Sequence, residues 1–208
     1  MAKKGGVAAY ILAGGKSSRM GRDKALLDFG GTPLILHIVS LVQPLTGAPT
    51  VIGPPDRYAN LNLRVIADDE PDIGPLGGIV TAVRDSREPW NLVLGCDLPL
   101  LTSEWLAYLI DRALASSADA VVPQSAAGAE PLCAMYRKSC EAGIAREIAR
   151  GVRKVTDALA QLNVERIEPL EWKNFDPSGQ LFKNLNSLKD IEEIAAALQQ
   201  RYGKVALQ

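Results

Sequence analysis

A glycine-containing basic loop follows the first apolar run of the chain. The stretch Tyr10 to Leu27, YILAGGKSSRMGRDKALL, has Gly14 and Gly15 directly after the apolar residues. Glycine lets main-chain N–H groups approach phosphate oxygens, and basic side chains supply the opposite charge. The basic residues are Lys16, Arg19, Arg22 and Lys24, and with Asp23 subtracted they give a local charge of +3. The loop predicts a polyphosphate site, with a solvated surface turn as the alternative.

The two common phosphate-binding motifs are both absent from this loop. Its glycines stand at 14, 15 and 21, which does not match the G-x-G-x-x-G dinucleotide fingerprint. A P-loop ending in Gly15-Lys16-Ser17 would need its leading glycine where this chain has Tyr10. The loop therefore predicts phosphate binding of another type.

One aspartate is placed to hold a metal ion. Asp97 comes after the apolar run NLVLG and before Leu98-Pro99, so its carboxylate is expected at the carboxyl edge of a central strand. Mg²⁺ prefers oxygen ligands and is commonly held by one or two carboxylates with phosphates and water. Asp97 is thus a candidate Mg²⁺ ligand, and an aspartate that caps the next helix is the alternative.

Composition limits the classes of function. The 208 residues are 47% hydrophobic and carry a formal net charge of −1, which fits a single domain over 1–208. The near-neutral charge gives no support for a nucleic-acid partner. No apolar run approaches the roughly 20 residues that a membrane span needs. We therefore expect a cytoplasmic protein without nucleic-acid or membrane partners.

Cysteine and histidine usage disfavours several chemistries. The three cysteines are odd in number and lack C-x-x-C spacing, which favours buried thiols over a disulfide framework or a zinc site. The single histidine, His37, lies in a predicted helix and is expected to be structural. With no second histidine, Ser-His-Asp and histidine-metal chemistry are disfavoured.

Short apolar runs alternate with helical patterns along the chain. The runs predict strands covered on both faces: Val7 to Leu12, Pro49 to Ile52, Leu63 to Ala67, Asn91 to Leu94 and Ala118 to Val122. The intervening helical patterns predict a largely parallel sheet with helices on both faces. A Gly/Ala-rich turn within Pro123 to Tyr136 predicts an antiparallel or mixed part of the sheet beside the site. Such folds bind ligands at the carboxyl ends of their strands, where the basic loop begins.

Capping residues predict where three helices begin. Thr32 with Pro33 predicts the N-cap and first turn of LILHIVSLVQ. Ser103 precedes EWLAYLIDRALA, and Ser187 or Asp190 precedes a closing helix, IEEIAAALQQR. These helices complete the β-α alternation.

The basic loop resembles a family signature. LAGGKSSRMGRDK is similar to the L-A-G-G-x-S-x-R-M-G-x-D-K of molybdenum cofactor guanylyltransferases, within the superfamily that also contains sugar-nucleotide pyrophosphorylases. The pyrophosphorylases and the methylerythritol-phosphate cytidylyltransferases usually carry L-A-A-G-x-G-x-R-M. Further matching motifs cover almost the whole chain: VIADD, GPLGGI, CDLPLL, EPLCAMYRKSC and FKNLNSLKDI. The chain departs from the family at Gly53, where relatives can carry asparagine, and at Ser187-Leu188, where the family often has Thr-Pro.

The resemblance implies a fold and a set of site residues. The fold is a Rossmann-like three-layer α/β sandwich with a largely parallel mixed sheet, of the nucleotide-diphospho-sugar transferase type. The implied catalytic residues are Lys24, Asp97 and Arg19, with Asp97 binding Mg²⁺. The implied GTP contacts are Leu12, Ala13, Gly14, Gly15, Lys24, Asp68, Gly78 and Asp97. Asn184 and Asn186 are implied near the metal or the pterin phosphate.

Residue types alone leave alternatives open at these positions. Lys24 could be an ordinary salt-bridge partner of Asp23 or Asp28. Gly78 could let a flat base lie against the backbone or could serve a tight loop-to-helix turn. The two asparagines could be only a turn before a helix. We offer as a hypothesis that the Asp68 carboxylate, or a neighbouring one, accepts hydrogen bonds from the guanine N1–H and N2–H₂ groups.

The resemblance implies a Mg²⁺-dependent transfer of GMP from GTP to molybdenum-bound molybdopterin, with release of pyrophosphate. The implied partners are GTP, molybdenum-molybdopterin, and the molybdenum-insertion proteins and molybdoenzymes that follow. Alternatives are cytidylyl transfer to the same cofactor, nucleotidyl transfer to a small phosphorylated acid, a nucleotide-binding regulatory module without turnover, and an interaction protein of the molybdenum pathway.

Overall fold

A computed structural model describes residues 3–13 and 23–186, together with 190, 193 and 194. Its strands are β1 Val7–Leu12, β2 Asp28–Phe29, β3 Thr32–Pro33, β4 Thr50–Ile52, β5 Arg64–Ile66, β6 Trp90–Gly95, β7 Ala120–Ser125, β8 Gly128–Ala129, β9 Cys133–Arg137 and β10 Val164–Ile167. Its α-helices are α1 Leu34–Thr46, α2 Pro55–Tyr58, α3 Pro75–Asp85, α4 Ser103–Ala115, α5 Glu141–Ala149, α6 Val155–Leu159 and α7 Pro169–Trp172. Gly14, Gly15, Arg19, Ser187 and most of the predicted closing helix lie outside the described residues.

The main sheet is mixed and mostly parallel. Its strand order is β10-β7-β9-β6-β1-β4-β5, with β8 paired to β7. Among the described strands of this sheet, only β8 and β9 run antiparallel to their neighbours, which confirms the mixed region predicted within Pro123 to Tyr136. Leu12 lies in parallel register with Ile52 and with Gly95, so β1, β4 and β6 end together. We call this side of the sheet the carboxyl edge.

Helices cover both faces of the sheet because side chains alternate along each strand. In β1, Ala9 and Ile11 belong to the core cluster that contains residues of α1 and α4. Tyr10 and Leu12 belong to the cluster on the other face, with residues of α3, α5 and α6. This arrangement confirms the predicted three-layer α/β sandwich.

Predicted strand limits are confirmed for β1 and differ by one residue at one or both ends of β4, β5 and β6. The largest difference is in β7, which continues past Val122 to Ser125. Its extension exists because Gln124 and Ser125 pair with Ala129 and Gly128 of β8. Such pairing depends on the partner strand and not on the apolar content of the run itself.

Two predicted helix caps are wrong. Thr32 and Pro33 form β3, paired antiparallel with β2 across Gly30 and Gly31, which have φ of 66° and 87°. The N-cap of α1 is Pro33, which has no side-chain cap. Thr102 rather than Ser103 caps α4, since the Thr102 side chain accepts a hydrogen bond from the Trp105 amide.

The predicted structural roles of histidine and cysteine agree with the burial of these side chains. His37 Nε2 lies 3.0 Å from the carbonyl oxygen of Pro99, and burial lowers the pKa of the ring. Cys133 and Cys140 are buried free thiols, and Cys96 is a half-buried one. Within the described ranges, no helix has both the length and the apolar character to cross a membrane.

Candidate functional site

Hydrogen bonds between backbone groups continue just beyond the ends of β1, β4 and β6 at the carboxyl edge. The Ala13 amide donates to the Ile52 carbonyl at 2.9 Å, and the Cys96 amide donates to the Leu12 carbonyl at 3.2 Å. The basic loop therefore starts between the ends of β4 and β6, at the centre of the sheet. Leu12 and Ala13, for which GTP contacts are predicted, are both at this point and both buried.

Three of the predicted site residues meet at this edge. Lys24 Nζ donates a hydrogen bond to Asn186 Oδ1 at 2.7 Å and lies 3.7 Å from Asp97 Oδ2. The predicted alternative that Lys24 pairs with Asp23 or Asp28 is wrong for the described contacts. The Asp23 carboxylate meets other partners, described below, and Asp28 accepts from the Gly31 amide. We call Lys24, Asp97 and Asn186 the edge cluster.

Hydrogen bonds from backbone amides hold the segment that carries Asn186 beside Asp97, although the two residues are far apart in the sequence. The Leu185 amide donates to the Asp97 carbonyl at 2.9 Å, which holds the segment before Asn186 against the end of β6. The Asn186 amide in turn donates to Asp190 Oδ2 at 2.8 Å. Gly95 gives the Asp97 side chain its room, because a Cβ at Gly95 would lie 2.9 Å from Asp97 Oδ1. Asn184 is exposed and lies two residues from the cluster.

Burial and charge act in opposite directions on Asp97. Loss of solvent raises the pKa of the Asp97 carboxyl group, and the Lys24 ammonium group lowers this pKa. About a quarter of the Asp97 side chain is exposed (25%), so a ligand can reach it. The alternative that Asp97 caps the next helix is wrong, because Thr102 is the cap. Asp97 is a reachable carboxylate beside one cation.

Asp68 lies on the loop between β5 and α3. Its Oδ1 accepts hydrogen bonds from Thr81 Oγ1 at 2.9 Å and from the Glu70 amide at 3.0 Å. Thr81 Oγ1 also accepts from the Asp69 amide, and Arg84 of α3 pairs with Glu70. These contacts fasten the loop to α3. The described contacts do not bring Asp68 into the edge cluster.

The glycines at the start of α3 allow close packing. A Cβ at Gly77 would lie 2.5 Å from the Glu70 carbonyl oxygen, and one at Gly78 would lie 2.9 Å from a methyl carbon of Leu12. Gly74 has a φ of 77°, which favours glycine. These contacts support the loop-to-helix role, and the predicted contact of Gly78 with GTP stays a prediction.

Tyr58 and Arg57 of α2 contact residues beside the basic loop, and the sequence did not predict these contacts. The Tyr58 hydroxyl lies 2.6 Å from the Ala13 carbonyl oxygen and 2.8 Å from Asp23 Oδ2. Arg57 NH1 also donates to Asp23 Oδ2, at 3.1 Å. The short segment PPDRY has no periodicity that marks a site. The one sequence signal near it is Gly53, where a Cβ would lie 3.0 Å from the Ala13 oxygen and 3.1 Å from the Tyr58 ring.

Comparisons with known proteins agree with this architecture. A protein of Carboxydothermus hydrogenoformans named probable molybdenum cofactor guanylyltransferase is 34% identical over 88% of this chain and 92% of its own. The crystal structure of molybdopterin-guanine dinucleotide biosynthesis protein A from Archaeoglobus fulgidus has a TM-score of 0.81 at 24% identity, covering 93% of this chain and 99% of that one. A CMP:2-keto-3-deoxy-manno-octonic acid synthetase structure has a TM-score of 0.69 at 13% identity, covering 94% and 99%. The family model described as the MobA-like NTP transferase domain matches residues 9–164, and the chain belongs to this family of nucleotidyltransferases.

Proposed function

We propose that this chain transfers GMP from GTP to the terminal phosphate of molybdenum-bound molybdopterin, forming molybdopterin guanine dinucleotide and pyrophosphate. The name of the Carboxydothermus relative, which aligns over most of both chains, supports this choice of substrates. The observation that carries the chemistry is the edge cluster. A lysine, a carboxylate and an amide from distant parts of the chain converge where the basic loop begins.

The transfer needs positioning and charge neutralisation more than covalent help from the protein. An oxygen of the acceptor phosphate forms a bond to the α-phosphorus of GTP, while the bond from that phosphorus to the bridging oxygen breaks. Pyrophosphate then leaves with the electron pair of the broken bond. In this proposal the Lys24 ammonium group, held at the carboxyl edge by Asn186 and Asp97, binds a phosphate of the nucleotide. Arg19 and the backbone of Gly14 and Gly15 are proposed to bind the rest of the triphosphate.

Mg²⁺ is the cofactor that we propose for the edge cluster. Asp97 Oδ2 and Asn186 Oδ1 both face the Lys24 ammonium nitrogen, at 3.7 and 2.7 Å, so two oxygen donors converge on one cation. Carboxylate and amide oxygens are ligands that hard divalent cations accept, and Mg²⁺ usually adds phosphate and water oxygens. The donors therefore fit Mg²⁺, which when bound would neutralise phosphate charge. Asn184 is proposed as a neighbour of the metal or the pterin phosphate.

Recognition of guanine is proposed for the loop that carries Asp68. The two hydrogen bonds described above both end on Oδ1 and orient the carboxylate, one from Thr81 of α3 and one from the Glu70 amide of the loop itself. A carboxylate held in this way is a suitable acceptor for the paired donors of guanine. Gly78 is proposed to lie near the nucleotide through its contact with Leu12, at the end of β1.

Pyrophosphate release with molybdenum-loaded molybdopterin and Mg²⁺ tests the proposal, with GTP, CTP and ATP compared. Asp97→Asn should lower the rate by about a hundredfold or more, since it removes the negative charge of the proposed Mg²⁺ ligand and so weakens binding of the metal that neutralises the reacting phosphates. Asp111→Asn is the matched control. Asp111 is also paired with a lysine, Lys4 at 2.6 Å, but it is an exposed residue of α4.

Each outcome has a definite meaning. Release with GTP alone, lost in Asp97→Asn and kept in Asp111→Asn, supports guanylyl transfer. Release with CTP alone would instead establish cytidylyl transfer. No release with any nucleotide would contradict the proposal and favour a binding module without turnover.

A further inference from the structure

One hydroxyl group joins Ala13 and Asp23, the two described residues that flank residues 14–22 of the basic loop. Ala13 precedes residues 14–22 and Asp23 follows them. The Tyr58 oxygen lies 2.6 Å from the Ala13 carbonyl oxygen and 2.8 Å from Asp23 Oδ2. Because a phenol has one proton and both partners are acceptors, the same donor serves both ends of the loop.

The Tyr58 side chain is rigidly placed for this role. Its exposure is 0%, and it belongs to the core cluster that contains residues of α1 and α4. Gly53 lets the ring approach β1, since a Cβ at Gly53 would crowd both the ring and the Ala13 oxygen. Burial and the neighbouring Asp23 carboxylate raise the pKa of the Tyr58 hydroxyl, so it stays a hydrogen-bond donor at neutral pH.

Asp23 connects Tyr58 to the turn that carries Lys24. Its Oδ1 accepts a hydrogen bond from the Ala25 amide at 3.0 Å and caps the 3-10 turn Lys24–Leu26. Lys24 is the first residue of that turn, and its ammonium group reaches Asp97 and Asn186. The two oxygens of one carboxylate therefore link the buried Tyr58 hydroxyl to the backbone that carries the lysine.

We propose that Tyr58 is a positioning residue, which through Asp23 sets the place of Lys24 and of both ends of the basic loop for the nucleotide triphosphate. The inference rests on the proposed nucleotidyl transfer for its catalytic consequence. Its structural consequence is independent of any nucleotide. Tyr58 itself acts through Lys24 and has no assigned contact with the reacting atoms.

Tyr58→Phe removes the hydroxyl and keeps the ring. We expect kcat/KM for the nucleotide to fall by about tenfold to a hundredfold, because a displacement of a substrate-binding group by about 1 Å can lower the rate by about a hundredfold. We also expect the amides of 24–27 to exchange with deuterium at least about tenfold faster, since their protection depends on the capped turn. The KM of the acceptor should change less than that of the nucleotide.

Tyr10→Phe is the matched control. The Tyr10 hydroxyl also donates to an aspartate at 2.8 Å, and Tyr10 is also buried, but its partner Asp85 lies at the end of α3. This variant should keep both the exchange of 24–27 and the nucleotide kinetics within about threefold of the parent. Asp23→Asn is the second variant if Tyr58→Phe does not fold, because an asparagine oxygen can still cap Ala25 while its amide cannot accept from Tyr58.

The two readouts separate the proposals. Faster exchange and weaker nucleotide use in Tyr58→Phe and Asp23→Asn, with a double variant no worse than the more affected single one, support the positioning role. Unchanged exchange of 24–27 would overturn that role, whatever the parent chain catalyses. Faster exchange in a chain that turns over no nucleotide would retain the positioning of Lys24 and reject the proposed function.

Discussion

Two adjacent glycines of α3 allow a quantitative test of the packing at the site. Replacing either by alanine improves helix propensity by about 0.5–1 kcal/mol. Overpacking opposes this gain and typically costs about 1–3 kcal/mol. The two positions share one helix and the same change of side chain, so the difference between them reports the neighbour that each new methyl group meets.

The neighbours differ in their ability to move. At Gly78 the new Cβ would lie 2.9 and 3.0 Å from the two methyl carbons of Leu12, the far end of a flexible side chain. At Gly77 it would lie 2.5 Å from the carbonyl oxygen of Glu70, whose amide is bound to Asp68. We place Gly78→Ala at the low end of the overpacking range and Gly77→Ala at the high end. The expected changes are a net effect within about 0.5 kcal/mol of zero for Gly78→Ala and a loss of about 2 kcal/mol for Gly77→Ala.

Urea unfolding followed by circular dichroism measures both changes in the free energy of unfolding by linear extrapolation. In the proposed reaction, Gly77→Ala should also raise the KM for GTP, because the displaced loop carries Asp68. Equal stability of the two variants, or a less stable Gly78→Ala, would refute the reasoning that a fixed backbone oxygen is the harder neighbour. A changed m-value would show that the native or unfolded ensemble has altered instead.

Two further predictions concern titration. Arg64 lowers the pKa of Asp85, so the stability from this ion pair is present above the ordinary aspartate pKa and is lost as the pH falls through the lowered pKa. Asp85→Asn should therefore lower the free energy of unfolding by about 1 kcal/mol at pH 7 and by less at pH 3. An equal loss at both pH values in urea titrations would contradict this prediction. Burial raises the pKa of Cys133 and of Cys140 to about 12. Iodoacetamide at pH 8 should therefore label both thiols about a thousandfold more slowly in the native chain than in the chain unfolded by guanidinium. Rapid labelling of the native chain, detected by mass spectrometry, would contradict their burial.

The sequence was sufficient to predict the layers of the fold, for a clear physical reason. Strands such as β1 and β6 are apolar throughout because both of their faces are covered, and the spacing of apolar residues in α4 marks a helix. Prediction failed where the structure depends on which residues pair with each other in space. The pairing of β2 with β3 across Gly30 and Gly31 took Thr32 out of the predicted cap, and Thr102 rather than its neighbour faced the start of α4.

The residue types at the candidate site were predictable, but the contacts between them were not. Family resemblance indicated Lys24, Asp97 and Asn186 separately. Their meeting depends on the register of β1 with β6 and on the Leu185 amide that binds the Asp97 carbonyl. Tyr58 was missed because a buried hydroxyl that bonds to a carbonyl oxygen and to a distant carboxylate has no local pattern.

The supports of the two charged groups at the edge differ in kind. Asp97 follows β6, whose residues are all buried and which lies between two strands, so its backbone position is set by the core of the sheet. Lys24 lies on a three-residue 3-10 turn whose N-terminal cap is a side chain. A short turn gains little stability from its own hydrogen bonds, so it relies on contacts made by its cap and on the packing of Ala25, which is buried in the core cluster with residues of α1. The position of the cation therefore depends on Asp23 and Tyr58, while the position of the carboxylate depends on the sheet.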